Sequence, residues 1–145
     1  MEDIFHLGIK ALLRNEEGRV LLLKVNPKKL RGEQRDYWDL PGGRIQKGDS
    51  VLDTLRREVE EEIGVTGLGE ATEVGMVLSN IRIPLSDETS AGLILGVYAC
   101  EMPKGASITL SDEHTAYDWF MPKEAAELLR VKYPGSFCDA ISRLD

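Results

Sequence analysis

The sequence is poor in several features that would place it at once. It has only two cysteines, Cys100 and Cys138, far apart and in no metal-binding or redox spacing. A disulfide scaffold is therefore excluded, and two reduced thiols are expected. No apolar run approaches the roughly 18 residues that span a bilayer, so no membrane segment is expected. The start, Met1-Glu2-Asp3, lacks the basic stretch of a signal peptide, and a cytoplasmic location is expected. Basic residues are outnumbered: 18 Lys and Arg face 25 Asp and Glu, a net charge of −7. Such a chain is a poor general nucleic-acid binder. It can still take a phosphate substrate if its acids gather around metal ions and its bases line one loop. Repeats, low-complexity tracts and interdomain linkers are also missing, and 145 residues fit one domain over 1–145.

What is present reads as a mixture of strands and helices. Ile9–Arg14 and Arg19–Val25 read as two strands joined by Asn15-Glu16-Glu17-Gly18, with Gly18 suited to positive φ. Residues 26–36 form a polar, basic loop with Lys28, Lys29, Arg31 and Arg35. Tyr37–Leu40 is a short extended piece, stopped by Pro41-Gly42-Gly43. Further strands are expected over Val74–Ser79, Leu93–Cys100, Ile108–Leu110 and Tyr117–Met121. Leu93–Cys100 is apolar on both faces, as in a central strand. Pro122 opens a helix through about Arg130, and Ser136–Leu144 reads as a terminal helix. The fold class is α/β, a sandwich around a mixed sheet.

The clearest helix runs from Ser50 to Ile63. Ser50 serves as N-cap, and Gly64 ends the helix. Val51, Leu55, Val59 and Ile63 recur every four residues and make the buried stripe. Glu58, Glu61 and Glu62 share one side and flank that stripe, at about 100° per residue. Three close carboxylates repel one another, and a divalent cation removes the penalty; oxygen ligands suit Mg²⁺ or Mn²⁺. The plain alternative is a solvated Glu-rich helix paired with Arg56 and Arg57.

The flanking residues bear on that choice. Gly43, five residues, Asp49, seven residues, then Arg57-Glu58-Val59-Glu60-Glu61-Glu62-Ile63-Gly64-Val65 resembles the Nudix box. Six fixed positions match, which arises by chance roughly once in 10⁵ sequences at ordinary residue frequencies. Only Asp49 departs, standing where the family has Glu. A weaker likeness extends from the first hairpin through Trp38–Gly43 to Trp119-Phe120 and the helix after them.

The resemblance to Nudix hydrolases of MutT-like type implies an α/β/α sandwich and a metal-dependent hydrolase. Such an enzyme cuts a pyrophosphate linkage in a nucleoside diphosphate derivative. It implies Glu61 and Glu62 as metal ligands, Glu58 as a further ligand or a base, and the Gly43 carbonyl as part of the shell. Arg57 is implied to pair with Asp49 and steady the loop. Family members often recruit an acid from a later loop; Glu113, six residues before Trp119, fits that role, against the reading of Ser111-Asp112-Glu113 as an ordinary acidic turn. His114 is expected to be structural or solvent-facing.

For the substrate, Lys28, Lys29, Arg31 and Arg35 can reach phosphates, and Tyr37 and Trp38 can stack on a base. A solvated loop and core packing are the plain readings of the same residues. The chain size resembles the nucleoside-triphosphate group, with ADP-ribose or a nucleotide sugar as the alternative. A non-catalytic nucleotide-binding module on the same fold is a further reading, which the intact acids oppose. Family members are often homodimers, and nothing in the sequence demands it.

Overall fold

The computed structural model describes residues 1–29 and 37–145. Eight strands lie in those residues: β1 (Phe5–Arg14), β2 (Val20–Val25), β3 (Trp38–Asp39), β4 (Gly42–Arg44), β5 (Thr72–Leu78), β6 (Ile83–Pro84), β7 (Ser90–Glu101) and β8 (His114–Phe120). Three helices accompany them: α1 (Val51–Ile63), α2 (Pro122–Leu129) and α3 (Gly135–Ser142). The main sheet runs β3-β2-β1-β7-β5, with β8 also paired to β2. β1 and β7 are parallel over ten register pairs, and the other pairings are antiparallel. The sheet is therefore mixed, as expected.

β1 and β2 are buried on both faces because helices cover both. Leu12, Val20, Leu22, Leu93 and Leu95 face Ala125, Leu129, Phe137 and Ile141 of α2 and α3. Ile9, Ala11, Leu13, Leu21 and Leu23 face Leu55, Val59 and Ile63 of α1. Burying one such side chain contributes about 1.5–3 kcal/mol, so the two layers together fix how α1 lies on the sheet. On the opposite flank, β5 leaves Val74, Met76 and Leu78 exposed on alternate positions.

The β1–β2 hairpin turns through Asn15–Gly18, with Gly18 at φ 79°. One edge of β1 is then shared. β2 meets it at Arg14, and β4 meets it at Gly8, Ile9 and Lys10. The turn expected merely to stop a strand is thus itself a strand. It brings Gly42 and Gly43 into the sheet beside the helix that carries the acids.

α1 begins as expected: Ser50 Oγ accepts from the Asp53 N–H at 3.2 Å. It ends on Gly64 in the left-handed region, at φ 69°. The strand expected at Ile108–Leu110 is absent. Those residues pair with no strand; instead Thr109 N–H donates to the Ile63 carbonyl and Ser111 N–H to the Glu62 carbonyl, at 2.9 and 3.0 Å. The end of a helix leaves carbonyls without partners, and this segment satisfies two of them in place of a ladder. No helix among the described residues is long and apolar enough to cross a membrane.

Candidate functional site

The site is assembled where α1, β4 and the start of β8 meet. Gly42 adopts φ 145°, and its N–H donates to Glu62 Oε1 at 2.6 Å. A side chain at Gly42 would collide with the Ile9 carbonyl and the Lys10 backbone. Glycine is required there for close approach of two main chains. At Gly43 the neighbour is different: a β-carbon would run into the Glu58 carboxylate. The missing side chain therefore leaves room for Glu58 against the glycine backbone.

The three acids of the helix occupy three environments. Glu62 is buried, with its side chain 6% exposed. Burial raises its pKa to about 8, against the offsetting charge of Lys10 and the Gly42 N–H. Glu58 is largely buried, and its pKa is also raised, first by burial and then by the charges of Glu61 and Glu113, with Arg57 opposing. Glu61 points outward, 58% exposed, with Arg57 as its ion-pair partner at 3.6 Å. The wheel places all three on one side of the helix, but the sheet covers only part of that side.

Arg57 braces the group. Its guanidinium donates to Glu58 Oε1 at 3.0 Å and to Asp49 Oδ2 at 3.2 Å. The pairing with Asp49 thus forms despite the side chain being one methylene shorter than the family's Glu.

The acidic turn at 111–113 is clamped from two directions. Ser111 is held by the end of α1, while Asn26 N–H donates to the Glu113 carbonyl at 2.9 Å. Glu113 thereby comes to Glu62. Ligand atoms of Glu62, Glu113 and His114 all lie within 4.8 Å of one another. Of the two expectations for His114, structural or solvent-facing, burial removes the second: its side chain is 7% exposed, and Nε2 sits 3.8 Å from Glu62 Oε2. Burial, then the charge of Lys10, lowers its pKa to about 4, so the imidazole is neutral at pH 7. Among the described residues its Nδ1 is buried without a hydrogen-bond partner. The adjacency of His114 to Glu113, at the mouth of a strand, was the available sequence signal.

Glu62, Glu113 and His114 open on a cleft of about 820 Å³, a size that suits a small-molecule ligand, while Glu58 and Glu61 are not on its wall. Gly43, Tyr37 and Glu113 line it. Of the residues expected to bind substrate, Tyr37 is in place. Lys28 is exposed and outside the cleft wall, whereas Lys29 joins it while pairing with Asp112 at 3.1 Å. Trp38 is not on the wall; it packs edge-on against Phe120, with ring centroids 5.0 Å apart, as part of the core. Arg31 and Arg35 lie outside the described residues.

A second polar cluster forms the cleft floor, and sequence reasoning missed it. Asp39 Oδ2 accepts from Lys10 Nζ at 3.1 Å and Lys132 Nζ at 2.6 Å. Its Oδ1 accepts from Tyr133 Oη at 2.6 Å and the Leu40 N–H at 2.7 Å. Burial alone would raise the Asp39 pKa, but the two ammonium charges hold it below the usual carboxylate range. Burial lowers Lys132 to about 8 in spite of Asp39. A lysine between Ile9 and Ala11-Leu12-Leu13, in a strand apolar on both faces, was the signal for part of it.

A family model described as the NUDIX domain matches residues 4–138. The chain belongs to the NUDIX family. This NUDIX chain is 27% identical over 135 residues to a MutT-like protein of Streptomyces ambofaciens, covering 93% of this chain and 76% of that one. It is 29% identical over 121 residues to a CTP pyrophosphohydrolase of Escherichia coli K12, covering 83% and 80% respectively. The crystal structure of a MutT protein from Methanosarcina mazei superposes on the NUDIX chain with a TM-score of 0.73. That match has 29% identity and covers 99% of this chain and 94% of the other. The α/β/α sandwich is the Nudix fold, and the protein is a Nudix hydrolase.

Proposed function

We propose that this Nudix hydrolase cuts a pyrophosphate linkage in a nucleoside diphosphate derivative, a nucleoside triphosphate foremost, with Mg²⁺ or Mn²⁺. The convergence of Glu62, Glu113 and His114 on one cleft, beside Glu58 and Gly43, carries the reading. The CTP pyrophosphohydrolase relative supports a triphosphate substrate.

The donor set fits a hard divalent cation. Glu58 and Glu62 have raised pKa values because burial and neighbouring acids disfavour their charge, and a cation reverses that penalty. Glu62 and Glu113 would hold it, with Glu61 joining from the exposed side of the helix and Glu58 left beside it as the base. A divalent cation there supplies charge compensation for the diphosphate and a lower pKa for the attacking water. The protein's own part is orientation and proton transfer. Gly42 N–H fixes the Glu62 carboxylate, Arg57 holds Glu58, and Glu58 takes the proton of the attacking water. Lys29 and Arg44 on the cleft wall face the phosphate charge.

A substrate panel with Mg²⁺ or Mn²⁺ tests this. Release of pyrophosphate and nucleoside monophosphate from triphosphates supports the proposal. Preferential cleavage of ADP-ribose or nucleotide sugars would replace it with the alternative. Tight nucleotide binding without turnover would make the protein a binding module. We place the enzyme in the cytoplasm, in keeping with its two free, buried thiols. A homodimer over the exposed Val74, Met76 and Leu78 row is checked by its sedimentation mass.

A further inference from the structure

His114 is a buried polar side chain that the hydrolytic chemistry leaves without a task. Its side chain is 7% exposed, yet among the described residues neither ring nitrogen has a hydrogen-bond partner. Nδ1 is enclosed without one whichever tautomer the ring adopts. Nε2 faces Glu62 Oε2 at 3.8 Å, beyond hydrogen-bond reach. An imidazole buried in this way is costly unless something meets its polar atoms.

The backbone aims the ring at the acids. β8 slips its register with β2 between Lys24 and Val25: Lys24 pairs with Ala116, and Val25 with His114 instead of Thr115. The extra residue is a bulge, which re-aims the side chains beside it. His114 thereby shares the cleft wall with Val25, Glu62 and Glu113.

The neighbours select what the ring meets. Glu62 divides its oxygens: Oε1 accepts the Gly42 N–H, and Oε2 is turned to His114. Glu113 brings a further oxygen, and the ligand atoms of the three residues lie within 4.8 Å of one another. Two carboxylates at one point repel a phosphate oxygen and attract a cation. Lys10 and Lys132 oppose positive charge here, but the carboxylates of Glu62, Glu113 and Asp39 outnumber them once ionised. Two donors on one divalent cation stand about 3 to 4 Å apart. Nε2 and Oε2 already have that spacing, and the exposed Glu113 side chain is free to close on them.

We propose that His114 is a metal ligand: its imidazole joins Glu62 and Glu113 on one divalent cation. The site is then mixed, with a nitrogen donor among oxygens, and suits Mn²⁺ or Co²⁺ as well as Mg²⁺. This role rests on the metal-dependent reading of the same cleft.

The test uses Mn²⁺ alone as the probe. Electron spin-echo envelope modulation of the bound ion should show a directly coordinated ¹⁴N. The chain has two histidines, so the source can be assigned. His114→Leu should abolish the coupling, and His6→Gln should keep it. Leucine is of similar size and removes the orphaned Nδ1, so H114L is expected to fold. If it does not, the unaltered protein decides: labelling its histidines with ¹⁵N should convert the signal, which a backbone nitrogen would not do. Titration should show Mn²⁺ held about tenfold or more weakly by H114L, at least the loss that follows removal of an outer-shell partner. Bound Mn²⁺ with no histidine nitrogen coupling would overturn the ligand role and leave the carboxylate site and the hydrolase reading intact. Coupling that survives in H114L, or that disappears in H6Q, would overturn it too. No binding of Mn²⁺ by the wild type would overturn both.

Discussion

Glu62 Oε1 accepts the backbone N–H of Gly42 at 2.6 Å, across 20 residues of chain. This bond ties the acid-bearing helix to the glycine turn, so the two ends of the Nudix box are positioned against each other by one buried carboxylate. That carboxylate is held in a place that disfavours its charge, and measurable consequences follow from this.

Stability without metal should depend on Glu62. Burial raises its pKa from the ordinary 4.5 to about 8. Between those values the folded state binds more protons than the unfolded one. Its contribution is full below about pH 4.5 and is lost as pH rises through about 8. Asp39, held below the usual carboxylate range, contributes in the opposite sense: its share is present above the unfolded carboxylate range and is lost in strong acid. Melting temperatures from pH 5 to 9 in chelator should therefore decline with pH, and Glu62→Gln should flatten the decline. Millimolar Mg²⁺ should restore the wild type at pH 8 by mass action. An identical slope in E62Q would contradict the assignment.

The two glycines of the turn should respond differently to alanine. At Gly42 the new β-carbon meets backbone, and the residue's φ is strained for any side chain. Gly42→Ala should cost about 3 kcal/mol or more, or prevent folding. At Gly43 it meets the movable end of Glu58. Gly43→Ala should keep most of its stability and lose activity, as the carboxylate is pushed aside. Circular-dichroism melts with kinetics on both variants check this, and equal stability losses would refute it.

Removing charge from the helix acids should separate them from the loop acid. Glu61→Gln and Glu62→Gln should each lower kcat by on the order of 10²–10⁴, since charge compensation carries most of the transition-state stabilisation. Glu113→Gln should cost about tenfold to a hundredfold. Near-wild-type turnover by E61Q would reduce that exposed residue to a surface charge paired with Arg57. A larger loss at Glu113 would make it, and not Glu58, the principal base.

Asp49 should tolerate its family counterpart. It reaches Arg57 at 3.2 Å already, and Glu at the same place can do so with a slight shift. Asp49→Glu should change kcat/KM by less than about tenfold, roughly 1.4 kcal/mol. Asp49→Asn, which keeps an acceptor but removes the charge facing Arg57, should cost more. The reverse order in steady-state kinetics would place Asp49 nearer the reacting groups.

Much was legible along the chain because it depends on near neighbours in sequence. Helix α1, its Ser50 and Gly64 caps and its apolar stripe follow from periodicity and capping chemistry over a few residues. The Gly43–Val65 spacing carried the family, since a motif is a local pattern. The run Leu93–Cys100, apolar on both faces, announced the central strand β7.

Tertiary structure alone decided what depends on contacts between distant segments. Glu58, Glu61 and Glu62 look alike in sequence, but the sheet and the 111–114 turn bury one, largely cover another and leave the third exposed. Ile108–Leu110 has strand chemistry, yet the open carbonyls of α1 take the N–H groups of Thr109 and the following Ser111. Trp38 could have faced a base; Phe120, 82 positions later, gave it a core partner. The Lys10–Asp39–Lys132–Tyr133 cluster joins four residues from three parts of the chain. No window of sequence contains it, because the energy that holds buried charges is the energy of partners brought together by folding.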